Sequence, residues 1–141
     1  MKSKLVHSTE IEVKFSEADP LGIVWHGHYV RYFEDGREAF GKAYGLRYLD
    51  LYRKDIVVPI ISMHVDYRRI LRYGHNIRLE TTYIDTPAAK LTFEYSMFDL
   101  ATGEQIATGH SLQVFMTKDP MELLLTLPPF MQEWKQKWLA D

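Results

Sequence analysis

One long helical pattern, followed by an almost unbroken run of β patterns, is the feature that most constrains this chain. From Tyr29 to about Tyr44, apolar or small residues recur at Tyr29, Phe33, Gly36, Phe40 and Ala43 or Tyr44, while Arg31, Glu34, Asp35, Glu38 and Lys42 fall mostly elsewhere. That is helical period. Downstream, Val57–Arg68, Asn76–Thr86, Lys90–Asp99 and Glu104–Thr117 are rich in β-branched and aromatic residues and read as strands. "DTPAAK" and "DLATGEQ" supply turns, with Pro87 and Gly103 as punctuation. Upstream, Val6–Glu17 alternates around Ile11, Val13 and Phe15 and reads as a further strand. The order predicts a single α+β domain over residues 1–141, an antiparallel sheet of about five strands with one long helix on it. Such a face is wider than one helix can cover, and its edges stay open. A homo-oligomer, dimer or tetramer, is therefore expected.

Smaller signals refine this picture. Gly36 and Gly41 each cost about 1 kcal/mol against Ala inside a helix, so close packing has to supply the difference. Gly45 stands where a helix C-cap is wanted, and Leu46–Lys54 reads as a short second helix or turn. Pro128 or Pro129 can open a last helix, in which Phe130, Trp134 and Trp138 share one face for packing against the sheet.

Composition removes several function classes. Net charge is −2, which argues against a dedicated nucleic-acid binder. Cys is absent, so disulfides, thiolate metal sites and a cysteine nucleophile are excluded. No segment reads as a signal peptide or membrane span, and a cytoplasmic location is expected.

The stretch "EADPLGIVWHGHY", Glu17 to Tyr29, joins the first strand to the helix and carries more than turn residues. Pro20 holds Asp19 extended, and Gly22 permits a tight turn or the close approach of a ligand. From about Gly27 the helix begins, with backbone N–H groups that lack intrahelical partners. A carboxylate that attacks a carbonyl or activates water, beside N–H groups that hold an oxyanion, provides two parts of an acyl-transfer site. The plainer alternative is that Asp19 makes an Asx-type turn. Spacing alone leaves both open.

"FSEADPLGIVWHGHYVRYFEDGREAFGKAYGL" resembles the signature of the 4-hydroxybenzoyl-CoA thioesterase family of hotdog-fold proteins. "VDYRRILRYGHNIRLET" and "FEYSMFDLATGEQIATGHSLQVFM" extend the likeness over nearly the whole chain. The resemblance implies a sheet wrapped around a central helix, paired into dimers or tetramers with active sites at the dimer interface. It implies an acyl-CoA thioesterase that consumes no cofactor, coenzyme A being part of the substrate. It also implies Asp19 as catalytic carboxylate, nucleophile or general base, and the His26 backbone N–H as the group polarising the thioester carbonyl. Tyr29 would line the acyl pocket, and Phe15, Gly22, Trp25, Met63, Arg69 and Arg72 complete the expected substrate contacts. Many relatives carry Tyr where this chain has Phe15, which reads as strand core.

Other candidates are weaker. His26 and His28 form an H-x-H pair that could bind zinc, but neither His64 nor His75 can be placed beside it, so no metal is expected. Arg68, Arg69, Arg72 and Arg78 could meet the phosphates of coenzyme A or simply charge a strand edge. Glu34, Asp35 and Glu38 read as solvated helix surface. An acyl-carrier-protein thioesterase and a non-catalytic acyl-CoA-binding module are the alternative functions.

Overall fold

The computed structural model describes residues 1–141. Strand β1 (Lys4–Glu12) leads through a 3-10 turn at Phe15–Glu17 to helix α1 (His28–Tyr44) and the short helix α2 (Tyr48–Tyr52). Strands β2 (Ile56–Val57), β3 (Ile60–Tyr67), β4 (Asn76–Ile84), β5 (Lys90–Asp99), β6 (Gln105–Val114) and β7 (Met116–Thr117) follow, then helix α3 (Pro129–Trp138). Five strands make one antiparallel sheet in the order β1-β4-β5-β6-β3, and β2 pairs separately with β7. The α+β expectation holds.

Three strand boundaries differ from the sequence reading. The first strand ends at Glu12, because the Glu17 carboxylate accepts the Lys14 N–H (2.7 Å) and closes a 3-10 turn. Phe15 is therefore not strand core: it is 76 % exposed, its ring edge-on to Tyr73 at 5.5 Å. The strand expected over Val57–Arg68 divides at Pro59, which has no N–H to give a ladder; β2 turns to β7 while β3 joins β6. The last pattern divides in the same way around buried Phe115, into β6 and β7.

Helix α1 buries Tyr29, Tyr32, Phe33 and Phe40, the two phenylalanines against inward aromatic residues of β4 and β5. Phe33 stacks on Tyr95 at 4.7 Å, and Phe40 meets Phe93 edge-on at 5.2 Å. Trp134 of α3 packs on Tyr83 at 4.9 Å and donates its indole N–H to the Tyr44 carbonyl (2.7 Å), the packing role expected for that face. Gly45 ends α1 in the left-handed conformation (φ 68°), as its cap position required.

Arg37 lies on the same buried face with no exposed surface. Its guanidinium stands over the rings of Tyr48 (4.9 Å) and Phe93 (4.7 Å) and donates to the Leu46 carbonyl (2.8 Å) and to Gln113 Oε1 (3.3 Å). Glu34 departs from the solvated role expected of it. It is half-buried and accepts from the Tyr48 hydroxyl (3.1 Å), whose pKa burial pushes up to about 12.

The helix glycines sit at close approaches. A Cβ on Gly36 would stand 2.4 Å from Thr81 Oγ1, and one on Gly41 would stand 2.8 Å from the backbone N and Cα of Arg47. Backbone cannot yield as a side-chain tip can. Gly41→Ala should therefore destabilise by about 1–2 kcal/mol in urea unfolding, overpacking outweighing the roughly 1 kcal/mol gained in helix propensity.

Candidate active site

Residues Ala18 to Val24 form a small hairpin closed by an antiparallel bridge between those two residues. Within it, the Asp19 N–H donates to the Ile23 carbonyl (2.8 Å) and the Gly22 N–H to the Asp19 carbonyl (2.9 Å). Gly22 takes φ +78°, a conformation that glycine adopts without strain. Asp19 Oδ1 accepts from the N–H groups of Leu21 (2.8 Å) and Ile23 (3.4 Å), so the Asx-type turn is present. No protein donor reaches the other carboxylate oxygen, Oδ2. Asp19 is half-buried, with Leu21 beside it 78 % exposed.

The hairpin delivers the chain to the start of α1. The backbone N–H groups of His26 and Gly27 have no protein acceptor, whereas the His28 N–H returns to the Trp25 carbonyl (3.0 Å). Tyr67, at the end of β3, donates its hydroxyl to the His26 carbonyl (2.9 Å). Across the planar trans peptide this directs the Gly27 N–H to the opposite side. The Trp25 ring packs on Gly27, where a Cβ would stand 2.2 Å from it, and lies near the rings of His26 (centroids 5.1 Å apart) and His28 (5.5 Å). No group of three or more His, Cys, Asp or Glu is arranged to hold a metal ion, here or elsewhere.

A shallow cavity of ≈ 240 Å³ opens beside the helix start, lined by Ile23, Val24, His26, Tyr29, Tyr67, Arg68, Arg69, Ile70 and Leu71. It gathers four of the candidate residues: His26, Tyr29, Arg68 and Arg69. Asp19 and Gly22 stand on the hairpin that carries Ile23 into the cavity, and Arg72 pairs with Ile23 through a backbone bridge. Trp25 covers the helix start from outside. Phe15 does not join the cavity lining, and neither does Met63, which lies half-buried on β3 opposite Ser111 of β6. Arg78 is remote from the cavity, paired with Glu80 (3.4 Å) and lying over Phe98. A larger depression of ≈ 620 Å³ lies over the ends of β1, β4 and β5, lined by Glu10, Glu12, His75 and Asp99 among others, and holds none of the predicted site residues.

Residues 13–135 match a family model described as the thioesterase-like superfamily. The chain belongs to the thioesterase-like superfamily. YneP of Bacillus subtilis, which carries the provisional name of acyl-CoA thioesterase, is 31 % identical over 114 residues, covering 81 % of this chain and 82 % of YneP. Among solved structures, DHNA-CoA thioesterase from Staphylococcus aureus superposes with a TM-score of 0.84 at 24 % identity, covering 96 % of this chain and 91 % of that one. A 4-hydroxybenzoyl-CoA thioesterase with an Asp-to-Asn substitution, complexed with 4-hydroxybenzoyl-CoA, superposes with a TM-score of 0.79 at 19 % identity, covering 92 % of this chain and 97 % of that one. The expected hotdog fold is thereby established, and the expectation of a thioester hydrolase is borne out at the level of the family. No helix is long and apolar enough to cross a membrane.

The sequence reading of this thioesterase-like chain passed over Glu17, Arg31, Tyr32 and Tyr67. Glu17 is only 4 % exposed. Its Oε1 accepts from the Lys14 N–H (2.7 Å) and the Tyr32 hydroxyl (2.9 Å), and its Oε2 from the Arg31 guanidinium. Burial alone would raise its pKa, but the Lys14 N–H, the Tyr32 hydroxyl and the Arg31 charge together hold it below the usual carboxylate value. Two features could have signalled this: the Lys14–Glu17 spacing of a tight turn, and an Arg-Tyr pair one turn past the helix start.

A carboxyl group depressed on folding contributes stability that is fully present above its unfolded pKa, near 4.5, and is lost as pH falls through the lower folded value. Thermal midpoints measured from pH 7 down to pH 3 should fall on the acid side of about 4.5, and the fall should be shallower in Glu17→Gln. Equal slopes for the two proteins would mean that the Glu17 charge contributes nothing to folding.

Proposed function

We propose that this chain is an acyl-CoA thioesterase in which Asp19 is the catalytic carboxylate and the His26 N–H is the oxyanion donor. The observation that carries the reading is the pairing, across one short loop, of a carboxylate with a free oxygen and a helix start with unengaged N–H groups. In the reaction, water supplies the oxygen that forms the new C–O bond, the C–S bond breaks, and coenzyme A leaves as its thiol. Asp19 either attacks the carbonyl carbon and is then released by water, or takes the proton from the attacking water. The negative charge that develops on the thioester oxygen is met by the His26 N–H at the positive end of α1. No cofactor takes part. Arg69 and Arg72, both exposed beside the cavity, supply charge for the phosphates of the coenzyme.

The rings of Tyr29 and Tyr67, which meet edge-to-face on the cavity wall with centroids 4.8 Å apart, offer aromatic surface that suits a flat aroyl group better than a long alkyl chain. Two structural neighbours named for aroyl-CoA esters, the DHNA-CoA and 4-hydroxybenzoyl-CoA thioesterases, agree with that choice. Thiol release from aromatic, short and long acyl-CoAs should be fastest with an aromatic ester, and Asp19→Asn should lower it by about a hundredfold or more. Hydrolysis of no ester, or an undiminished rate in Asp19→Asn, would leave Asp19 a loop residue. Acyl-carrier-protein esters would then be the next substrates to try.

The reading includes an oligomer. β3 forms an open edge of the five-stranded sheet, with Ile60, Ile61 and Tyr67 exposed along it beside His64 and Asp66, and an open edge is free to pair with another strand. A partner there would also close the open side of the cavity that Tyr67 borders. Sedimentation at micromolar concentration should give at least twice the 16.6 kDa chain mass, and Ile61→Lys should lower both that mass and the turnover. A fully active monomer would remove the partner from the site.

A further inference from the structure

Asp19 makes no hydrogen bond to α1; both bonds to its carboxylate come from its own hairpin. Something else has to set the distance between that hairpin and the helix start. Glu17 is the residue that reaches all the parts. Its carboxylate takes Lys14 at the beginning of the loop and Arg31 and Tyr32 on the first two turns of α1. Its backbone N–H donates to the Lys14 carbonyl (3.0 Å), and its carbonyl accepts from Trp25 (3.3 Å), the residue before His26. Asp19 follows Glu17 by two residues along the chain.

A neutral side chain could cap the turn at Lys14. An ionised one, removed from water, has a large cost that only several strong bonds repay. Charge-assisted bonds are roughly twice as strong as neutral ones and fix geometry more tightly. Two of the three bonds to this carboxylate, those from Arg31 and Tyr32, tie the loop to the helix.

We propose that Glu17 is a positioning residue for catalysis, clamping the Asp19 hairpin to α1 so that the carboxylate and the His26 N–H keep a fixed separation. The proposal rests on the reading of Asp19 as the catalytic group. Its chemical content is that Glu17 touches neither substrate nor reacting atoms and acts only through Asp19.

The test is a double-mutant cycle between Glu17→Gln and Asp19→Asn, read as kcat and KM for the best ester together with thermal midpoints. Glu17→Gln should lower kcat about 10- to 30-fold with KM within threefold, and should lower the rate less than twofold further in the Asp19→Asn background. Tyr32→Phe, which removes one of the three bonds to the carboxylate and leaves the charge, should lower kcat about threefold in the wild-type background and not at all in Asp19→Asn. It serves as the readout if Glu17→Gln does not fold. Equal fold-losses in both backgrounds, or a lowered midpoint with kcat unchanged, would make Glu17 a residue of stability only and overturn the proposal. An Asp19→Asn single variant as fast as wild type would remove the catalytic reading itself, an outcome visible before the cycle is closed.

Discussion

Burial of one face of α1 against the sheet is the contact on which the position of every other functional group depends. Tyr29, Tyr32, Phe33 and Phe40 are all withdrawn from water there, and each such side chain contributes about 1.5–3 kcal/mol. Aromatic stacking and close approach at two glycines fix how far the helix lies from the sheet and how it is turned about its axis. A helix held in this way has a start that cannot wander. The unengaged N–H groups of His26 and Gly27 are useful to chemistry only on that condition, because an oxyanion donor stabilises charge in proportion to how little it must reorganise.

Two buried charges lie on or against the same helix, and they fasten it to different things. Arg37 ties the middle of α1 to the Leu46 carbonyl after its C-terminus and to Gln113 of β6. Glu17 ties the loop before α1 to its first two turns. Burying a charge is costly, and an apolar pair of like volume often stabilises as well or better. What an apolar pair lacks is direction. Hydrogen bonds at both positions join helix to loop or helix to strand along fixed lines, so these charges define where irregular segments attach.

How much was legible in the sequence follows from the range of each signal. The period of α1, the full extent of β5, the Gly45 cap and the Pro-opened α3 were readable because each depends on neighbours within a few residues. The end of β1 was not, because alternation at Val13 and Phe15 continues past the point where Glu17 draws the backbone into a turn. Pro59 was visible, yet the rerouting of β2 toward β7 depends on a strand some 60 residues away. Arg37 gave no signal at all: its partners on α2 and β6 come together only in the fold. The site divides along the same line. Asp19, Gly22 and the helix start stood out as a local motif, whereas the clamp made by Glu17 with Arg31 and Tyr32 spans 14 and 15 residues.

The Asx-type turn at Asp19 is the plain alternative to a chemical role, yet the two are compatible and the first would assist the second. An aspartate side chain rotates freely in a loop unless something holds it. The N–H groups of Leu21 and Ile23 hold Oδ1 and thereby fix where Oδ2 points. A carboxylate oriented before substrate arrives has less entropy to lose on reaching the transition state, and misplacement by about 1 Å can cost a hundredfold in rate. The turn fixes the direction of the carboxylate, but it leaves the distance to the helix undetermined. That second coordinate comes from attachments outside the hairpin, and in this chain they run from Glu17 to α1.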